Sequence, residues 1–322
     1  MSGEAELVRR YFAAGPRRSD VLLGIGDDAA LLRPPHEDAL VACTDVLTEG
    51  IHFPVDTPAE AVGHKALAVN LSDVAAMGAR PRWALLALGL PRPDPQWLAA
   101  FARGLMDLAD QAQVALVGGD LCRGPLSATV TLLGSVIPGR ALRRSGARPG
   151  DELWLSGTVG DAGLGLEVVR GRVELEAEAA RFCIQRLQRP TPRLALGQWL
   201  AGRATAAIDV SDGLLIDLQR LCEASGAGAL LRWESVPLSP PVAGWVARHP
   251  ERWRLPLTAG DDYELLFTLP PGTGRMLKRA ALEVSCTRVG EILAEPGIWV
   301  ERGGVRQPWS GAAGYDHFAG PA

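Results

Sequence analysis

Residues 207–218 read AIDVSDGLLIDL: an apolar run, an acidic turn, then the start of a helical pattern. The spacing predicts a strand over 205–210 and a helix over 213–225, with Gly226 as its stop. The same signature recurs along the chain. VLLGIGDD (21–28), LVACTD (40–45) and VALVGGD (114–120) each carry an apolar run into an expected turn that holds Asp. A further acidic turn, Gly260-Asp261-Asp262, precedes the run 263–268. Asp73 lies within a helical pattern, three residues after Asn70, so the two share a helix face.

Taken singly, these acids have a plain reading. Asp and Gly are ordinary turn residues, and Asp commonly caps helices; Asp212 and Asp161 each read as such a cap. As a set they say more. Adjacent acids such as Asp27-Asp28 and Asp261-Asp262 repel, and a cleft where such acids converge suits a hard divalent cation. Mg²⁺ prefers carboxylate and phosphate oxygens, and carboxylate-held Mg²⁺ is a common means of binding a nucleoside triphosphate.

Around these turns the chain reads as two α+β halves that meet between Arg140 and Gly150. In the first, an opening helix over 4–11 is followed by strands over 39–43, 83–90, 113–117 and 127–137. Helices over 61–77 and 95–112 lie between them, with Gly78 as a stop and Pro95 at a tolerated early position. The second half carries strand 152–156, helix 161–170, the strand and helix quoted above, a Pro-rich loop at 237–241, strand 264–269 and a mixed tail to Phe318.

Composition excludes several classes. Of 322 residues, 47% are hydrophobic and 22% charged, and the formal net charge is −4, so no basic footprint for nucleic acid is present. No run reaches the ~18–20 apolar residues of a membrane span. The start, Met1-Ser2-Gly3-Glu4, does not read as a signal peptide. Five cysteines without a C-x-x-C pair fit neither a disulfide framework nor a zinc site, so a cytoplasmic protein is expected.

Other motifs are weaker. Gly24-Ile25-Gly26 lacks the third glycine of a dinucleotide fingerprint, and no P-loop pattern occurs. Gly118-Gly119 before Asp120 suits close approach of backbone N–H groups to phosphate. His52 reads as a loop histidine or a ligand contact. His64 and Lys65 read as solvated residues at the start of the Asp73 helix. GTVGDAGLG (157–165) reads first as tight helix packing and second as an anion cradle.

GIGDDAALL (24–32), TDVLTEGIHF (44–53), KALAVNLSDVAAMGARP (65–81), VGGDLCRGPLS (117–127), ALRRSGARPGD (141–151), AIDVSDGLLIDL, GDDYELLFT (260–268) and GYDHF (314–318) together resemble the thiamine-monophosphate kinase family. That family sits within a superfamily that includes aminoimidazole ribonucleotide synthetase, selenophosphate synthetase and a hydrogenase maturation protein. The resemblance implies an α+β fold of two domains. An N-terminal ATP/metal-binding domain (1–140) would dimerise, and a C-terminal α/β domain (141–322) would stand beside it.

It further implies an ATP-using phosphotransferase of thiamine biosynthesis that acts on thiamine monophosphate as a homodimer. Asp28, Thr44, Asp45, Asp73, Asp120, Asp209 and Asp212 would surround several Mg²⁺ ions, with Asp45, Asp120 and Asp212 the most critical. Gly119, Asp120, Arg144 and Ser211 would contact ATP, and His52, Asp261 and Tyr315 the thiamine phosphate. Cys43 stands where relatives often carry Ser, and Asp261 where a Glu is expected. No residue reads as a general base, because an acceptor phosphate is already anionic. A selenophosphate synthetase would need a reactive Cys or selenocysteine and a Lys in the first forty residues, which have neither. The hydrogenase maturation relative ends in a Cys, whereas this chain ends Gly320-Pro321-Ala322. A nucleotide-binding regulatory protein without turnover is the remaining alternative.

Overall fold

The computed structural model describes residues 4–13, 18–280, 282–310 and 314–315. Residues 316–318 of the closing GYDHF stretch lie outside them. The chain divides into two compact units, one of Met1–Val74 with Ala79–Gly139 and one of Arg140–Ala322 with Ala75–Gly78. The expected boundary at 140/141 therefore differs by one residue, and by the short end of a helix that groups with the second unit.

In the first unit, α1 (Glu4–Tyr11), β1 (Val21–Leu23) and β2 (Leu31–Leu32) precede β3 (Ala39–Thr48), α2 (Ala59–Ala76), β4 (Arg80–Leu90), α3 (Pro95–Gln111), β5 (Ala115–Arg123) and β6 (Ser127–Val136). The four long strands form a sheet in the order β3-β6-β4-β5. β6 is antiparallel to both its neighbours, and β4 and β5 are parallel. Helix α3 starts where the sequence supplies start signals. The Asp94 carboxylate accepts the N–H groups of Gln96 (2.9 Å) and Trp97 (3.1 Å), and Pro95 occupies the first turn. Its buried face, Leu98, Phe101, Leu105 and Leu108, recurs at helical spacing. Burying each of these side chains stabilises the unit by roughly 1.5–3 kcal/mol.

The second unit contains β7 (Glu152–Ser156), α4 (Asp161–Val169), α5 (Ala177–Gln188), α6 (Leu194–Leu200), β8 (Ala206–Val210), α7 (Leu214–Ser225), β9 (Gly228–Arg232), α8 (Pro240–Arg248), α9 (Leu255–Thr258), β10 (Glu264–Leu269), β11 (Cys286–Leu293), β12 (Gly297–Arg302) and β13 (Val305–Pro308). Its sheet runs β13-β12-β9-β11-β7-β10-β8. Among the described residues β9 and β12 pair in parallel, and the other neighbours are antiparallel. Strands β7, β8 and β10 are buried at every residue. One face packs Leu155, Ile208 and Leu266 against Leu214 and Leu218 of α7. The other packs Trp154 and Phe267 against Leu196 and Leu200 of α6. Burial on both faces explains why these strands read as short continuous apolar runs rather than alternating ones.

Several local expectations are corrected. The Pro-rich stretch is not wholly a loop: Pro240 opens α8, capped by Ser239, whose hydroxyl accepts the Val242 N–H at 3.4 Å. Proline there begins a helix because the missing N–H has no partner in a first turn. The mixed tail resolves into β11, β12 and β13, the last two joined by Gly303-Gly304 at φ 58° and 76°. Asp45 and Asp120 lie inside β3 and β5 rather than in turns. Their ladders run past the acids, to Thr48↔Ser127 and Leu90↔Arg123.

Candidate functional site

Within the first unit, a cavity of about 540 Å³ is lined by Asp27, Asp28, Gly118, Gly119, Asp120 and apolar residues including Phe12 and Leu88. Two of the acidic stretches, ninety residues apart in sequence, thus meet at one cavity. Asp27 accepts the Asp28 N–H at 2.8 Å, which fixes the turn and leaves the exposed Asp28 carboxylate presented. Gly119 has φ +144°, and a Cβ there would lie 1.8 Å from the Leu86 carbonyl oxygen, so only glycine fits next to Asp120.

The strand geometry of β3 separates two residues that sequence reading paired. Successive side chains of a strand point to opposite faces, so Thr44 and Asp45 do not share one. The Thr44 hydroxyl meets that of Thr131 at 3.0 Å and donates to the Val130 carbonyl. The Cys43 thiol, on the Asp45 face, lies 3.5 Å from the Asn70 carbonyl of α2. Asp45 continues that face of the strand, and Asp73 continues the Asn70 face of the helix.

His52 is oriented by its own loop. The Thr48 N–H donates to Nδ1 at 2.9 Å, so neutral His52 carries its proton on Nε2 and presents a donor. Its carbonyl accepts from Lys65 Nζ at 3.2 Å. Lys65 is buried on α2, which begins six residues earlier than it, and is therefore not the solvated residue expected.

In the second unit the acids group around the turn after β8. Asp209 is buried on the strand, and Ser211-Asp212-Gly213 form the turn. The Asp261 N–H donates to the Ser211 carbonyl at 2.8 Å, and the Tyr315 N–H donates to the Asp212 carbonyl at 2.9 Å. Ser211, Asp212, Asp261 and Tyr315 are thus brought together by backbone bonds. Arg144 is exposed, and its carbonyl accepts from the Ser225 hydroxyl at 3.1 Å. Asp212 does not cap α7. Asp217, in the first turn of the helix, instead accepts the N–H groups of Ser211 (3.0 Å), Asp212 (3.1 Å) and Gly213 (3.2 Å) on one oxygen. Burial raises the Asp217 carboxyl to about 7, the charges of Asp209 and Asp212 add to this, and Arg220 opposes it.

A buried ionic cluster stands behind the GDD turn. Asp161 is the first residue of α4 and not its cap. It receives hydrogen bonds from Thr158 (2.5 Å) and Ser239 and pairs with Arg186 at 3.4 Å. Glu264 accepts from Ser156 (2.6 Å), Arg186 (2.8 Å) and Arg193 Nε (2.6 Å). Asp262 accepts the N–H of Gly160 at 2.7 Å and of Ala162 at 3.4 Å. The anion at the start of α4 is therefore the chain's own carboxylate. The glycines of 157–165 serve packing: a Cβ at Gly163 would meet Ala259 Cβ at 2.2 Å, and one at Gly165 the Cys183 carbonyl at 2.3 Å. Burial pushes Asp262 well above the usual carboxylate range and Asp161 adds to it, against the two N–H groups and Arg186. Sequence reading gave no role to Asp217, Glu264, Arg186 and Arg193, and it grouped Asp262 with the acids suited to a cation, whereas the structure buries it as an anchor of α4. An acid four residues beyond the Ser-Asp-Gly turn was the available signal for Asp217; the arginines lie on an unread helix and its exit.

Among the described residues no three His, Cys, Asp or Glu side chains are grouped so as to hold a metal ion alone. The donor set nevertheless fits Mg²⁺. Hard oxygens presented one or two at a time, as by Asp28 and Asp120 at the cavity, match an ion that keeps waters and takes its other ligands from phosphates.

Residues 26–136 match the family model of the AIR synthase related protein N-terminal domain, and residues 148–301 that of its C-terminal domain. Thiamine-monophosphate kinase of Salmonella typhimurium is 44% identical over 99% of both chains. That of Haemophilus influenzae is 38% identical over 98% of both. Among solved structures, thiamine-monophosphate kinase of Stenotrophomonas maltophilia K279a superposes with a TM-score of 0.83 at 46% identity, covering 88% of this chain and 92% of that one. AaThiL complexed with AMPPCP and TMP superposes with a TM-score of 0.75 at 34% identity, covering 86% and 87%. Fold and site define an AIR synthase related protein of two α+β units. Within that class the chain belongs to the thiamine-monophosphate kinase family, and it is a kinase. No helix among the described residues is long and apolar enough to cross a membrane.

Proposed function

We propose that the protein uses ATP to phosphorylate thiamine monophosphate, giving thiamine diphosphate and ADP by direct in-line transfer. The observation that carries this reading is the cavity lined by Asp27, Asp28 and Asp120 together with the side-chain-free backbone of Gly118 and Gly119. Backbone there can come close to phosphate while carboxylates flank it.

An oxygen of the acceptor phosphate attacks the γ-phosphorus, and the bond to the ADP oxygen breaks as the new one forms. That oxygen is already anionic, so no side chain removes a proton, in keeping with the lack of a base in the motifs. Asp28, Thr44, Asp45, Asp73, Asp120, Asp209 and Asp212 are the residues we assign to several Mg²⁺ ions, which would offset the charge of the phosphates. Of the Thr44-Asp45 pair, Asp45 is the stronger candidate, because a carboxylate is a harder, anionic ligand than a hydroxyl. Gly119, Asp120, Arg144 and Ser211 are assigned to ATP, with the Arg144 guanidinium opposing phosphate charge. His52 Nε2–H is suited to donate to the acceptor phosphate, and Asp261 and Tyr315 are assigned to the same substrate.

We assign the protein to the cytoplasm and to a homodimer formed through the N-terminal unit. An exposed edge strand supports the dimer: β3 carries Leu40 and Val46 outward along ten residues. Incubation with ATP, Mg²⁺ and thiamine monophosphate should yield thiamine diphosphate and ADP, with free thiamine a far poorer acceptor. Comparable rates for the two would sink direct attack by phosphate.

A further inference from the structure

Arg220 and Asp217 have no part in the assignments above, yet they control the carboxylate of Asp212. One guanidinium nitrogen, Arg220 Nη1, donates both to Asp212 Oδ2 at 2.6 Å and to Asp217 Oδ1 at 2.7 Å. The other oxygen of Asp217 collects the three N–H groups of the turn that bears Asp212. Asp217 is almost fully buried, whereas Arg220 and Asp212 are about one-third exposed. The turn is therefore anchored from inside by Asp217, and its outward carboxylate is held by a cation from the chain itself.

We propose that Asp217 and Arg220 are positioning residues that keep Asp212 ready for a divalent cation: Arg220 stands in for that cation, and Asp217 gives Arg220 an acceptor when it is displaced. The inference rests on the reading of Asp212 as a ligand for nucleotide-bound Mg²⁺. Because one nitrogen already serves both carboxylates, Arg220 need not swing into solvent when Asp212 is taken. It keeps Asp217 as partner, so a buried acid is not left without a counter-charge, which is costly.

The two residues then have opposite effects. Asp217→Asn removes a negative charge, turns an amide N–H₂ toward Arg220 and leaves that cation to Asp212 alone. All three changes oppose a divalent ion at Asp212. Arg220→Met removes the competitor, so the ion meets Asp212 uncontested. A purely structural pair would behave differently, since losing either member would loosen the turn and weaken binding alike.

The test is calorimetric titration of the protein at pH 8, where Asp217 is an anion, with a non-hydrolysable ATP analogue across a range of Mg²⁺ concentrations. We expect Asp217→Asn to weaken Mg²⁺-dependent binding on the order of tenfold, as outer-shell changes do. Arg220→Met should bind as well as wild type or better, and Asp217→Asn should add nothing in an Asp212→Asn background. Loss of affinity in Arg220→Met equal to that in Asp217→Asn would overturn the proposal. So would wild-type affinity in Asp217→Asn, or its full effect without the Asp212 charge. Should Asp217→Asn fail to fold, the partly exposed Arg220→Met decides the matter by the sign of its effect. A wild-type protein without Mg²⁺-dependent nucleotide binding would sink the kinase reading as well, whereas binding insensitive to both variants would sink this inference alone.

Discussion

The carboxylate of Asp262 accepts the backbone N–H of Gly160 at 2.7 Å, across 102 residues of chain. Its neighbour Asp261 faces the other way: it is half-buried, holds a left-handed φ of 69° and accepts the Tyr263 hydroxyl at 3.1 Å. Two adjacent acids of one motif thus have separate work, one anchoring the start of α4 and one lying beside the Ser211 turn.

That division predicts separable phenotypes. Asp262→Ala leaves a buried N–H without its acceptor and should lower stability by about 1–3 kcal/mol. Asp261→Asn should stay within about 0.5 kcal/mol of wild type while lowering kcat/KM. Urea denaturation beside a steady-state assay checks both, and a full-stability Asp262→Ala protein would contradict the anchoring role.

Glycine at 119 is fixed by its surroundings. Gly119→Ala would set a methyl 1.8 Å from the Leu86 oxygen at φ +144°. A loss of more than about 2 kcal/mol is expected from the strain and displaced backbone. Gly124→Ala meets nothing within 4 Å and should change stability by no more than about 0.5 kcal/mol. Thermal melts of the pair test whether β4 and β5 are packed this closely.

Asp217 also makes a prediction about pH. Its carboxyl sits at about 7 in the folded protein, against an ordinary value of 3.8. Between those values the native state binds more protons than the unfolded chain, so stability falls as pH rises through that window. Asp217→Asn removes this contribution. Relative to wild type, without metal, the variant should gain stability from pH 4 to pH 7 by a few kcal/mol. Parallel denaturation curves across that range, with a constant difference, would show that Asp217 does not titrate there.

The His52 tautomer sets up a comparison of two amides. Asn can replace Nδ1 as acceptor from Thr48, while Gln extends an N–H₂ toward the Nε2 position. If the Nε2–H meets the acceptor phosphate, His52→Asn should raise KM for thiamine monophosphate roughly tenfold, the worth of one hydrogen bond to a charged group. His52→Gln should raise it less. Equal effects would place the role of His52 in its loop.

The sequence by itself determined the two-unit α+β plan, the acids worth following and the family. Those features are local: apolar runs, Pro95 and Gly226 as helix punctuation, and motifs read in order. Strands 152–156 and 264–269 were legible to the residue because burial on both faces leaves mostly apolar runs without polar alternation. The edge strand β13 and the helix α5 were not. An exposed strand has no apolar signature, and α5 buries only Cys183 and Leu187. Tertiary structure alone decided which acids face outward. Asp28 and Asp120 line one cavity, whereas Asp262 and Glu264 are locked in a buried cluster by partners from β7 to the start of α6. No spacing along the chain encodes that difference, because burying a carboxylate depends on cations and N–H donors brought from distant elements by the fold.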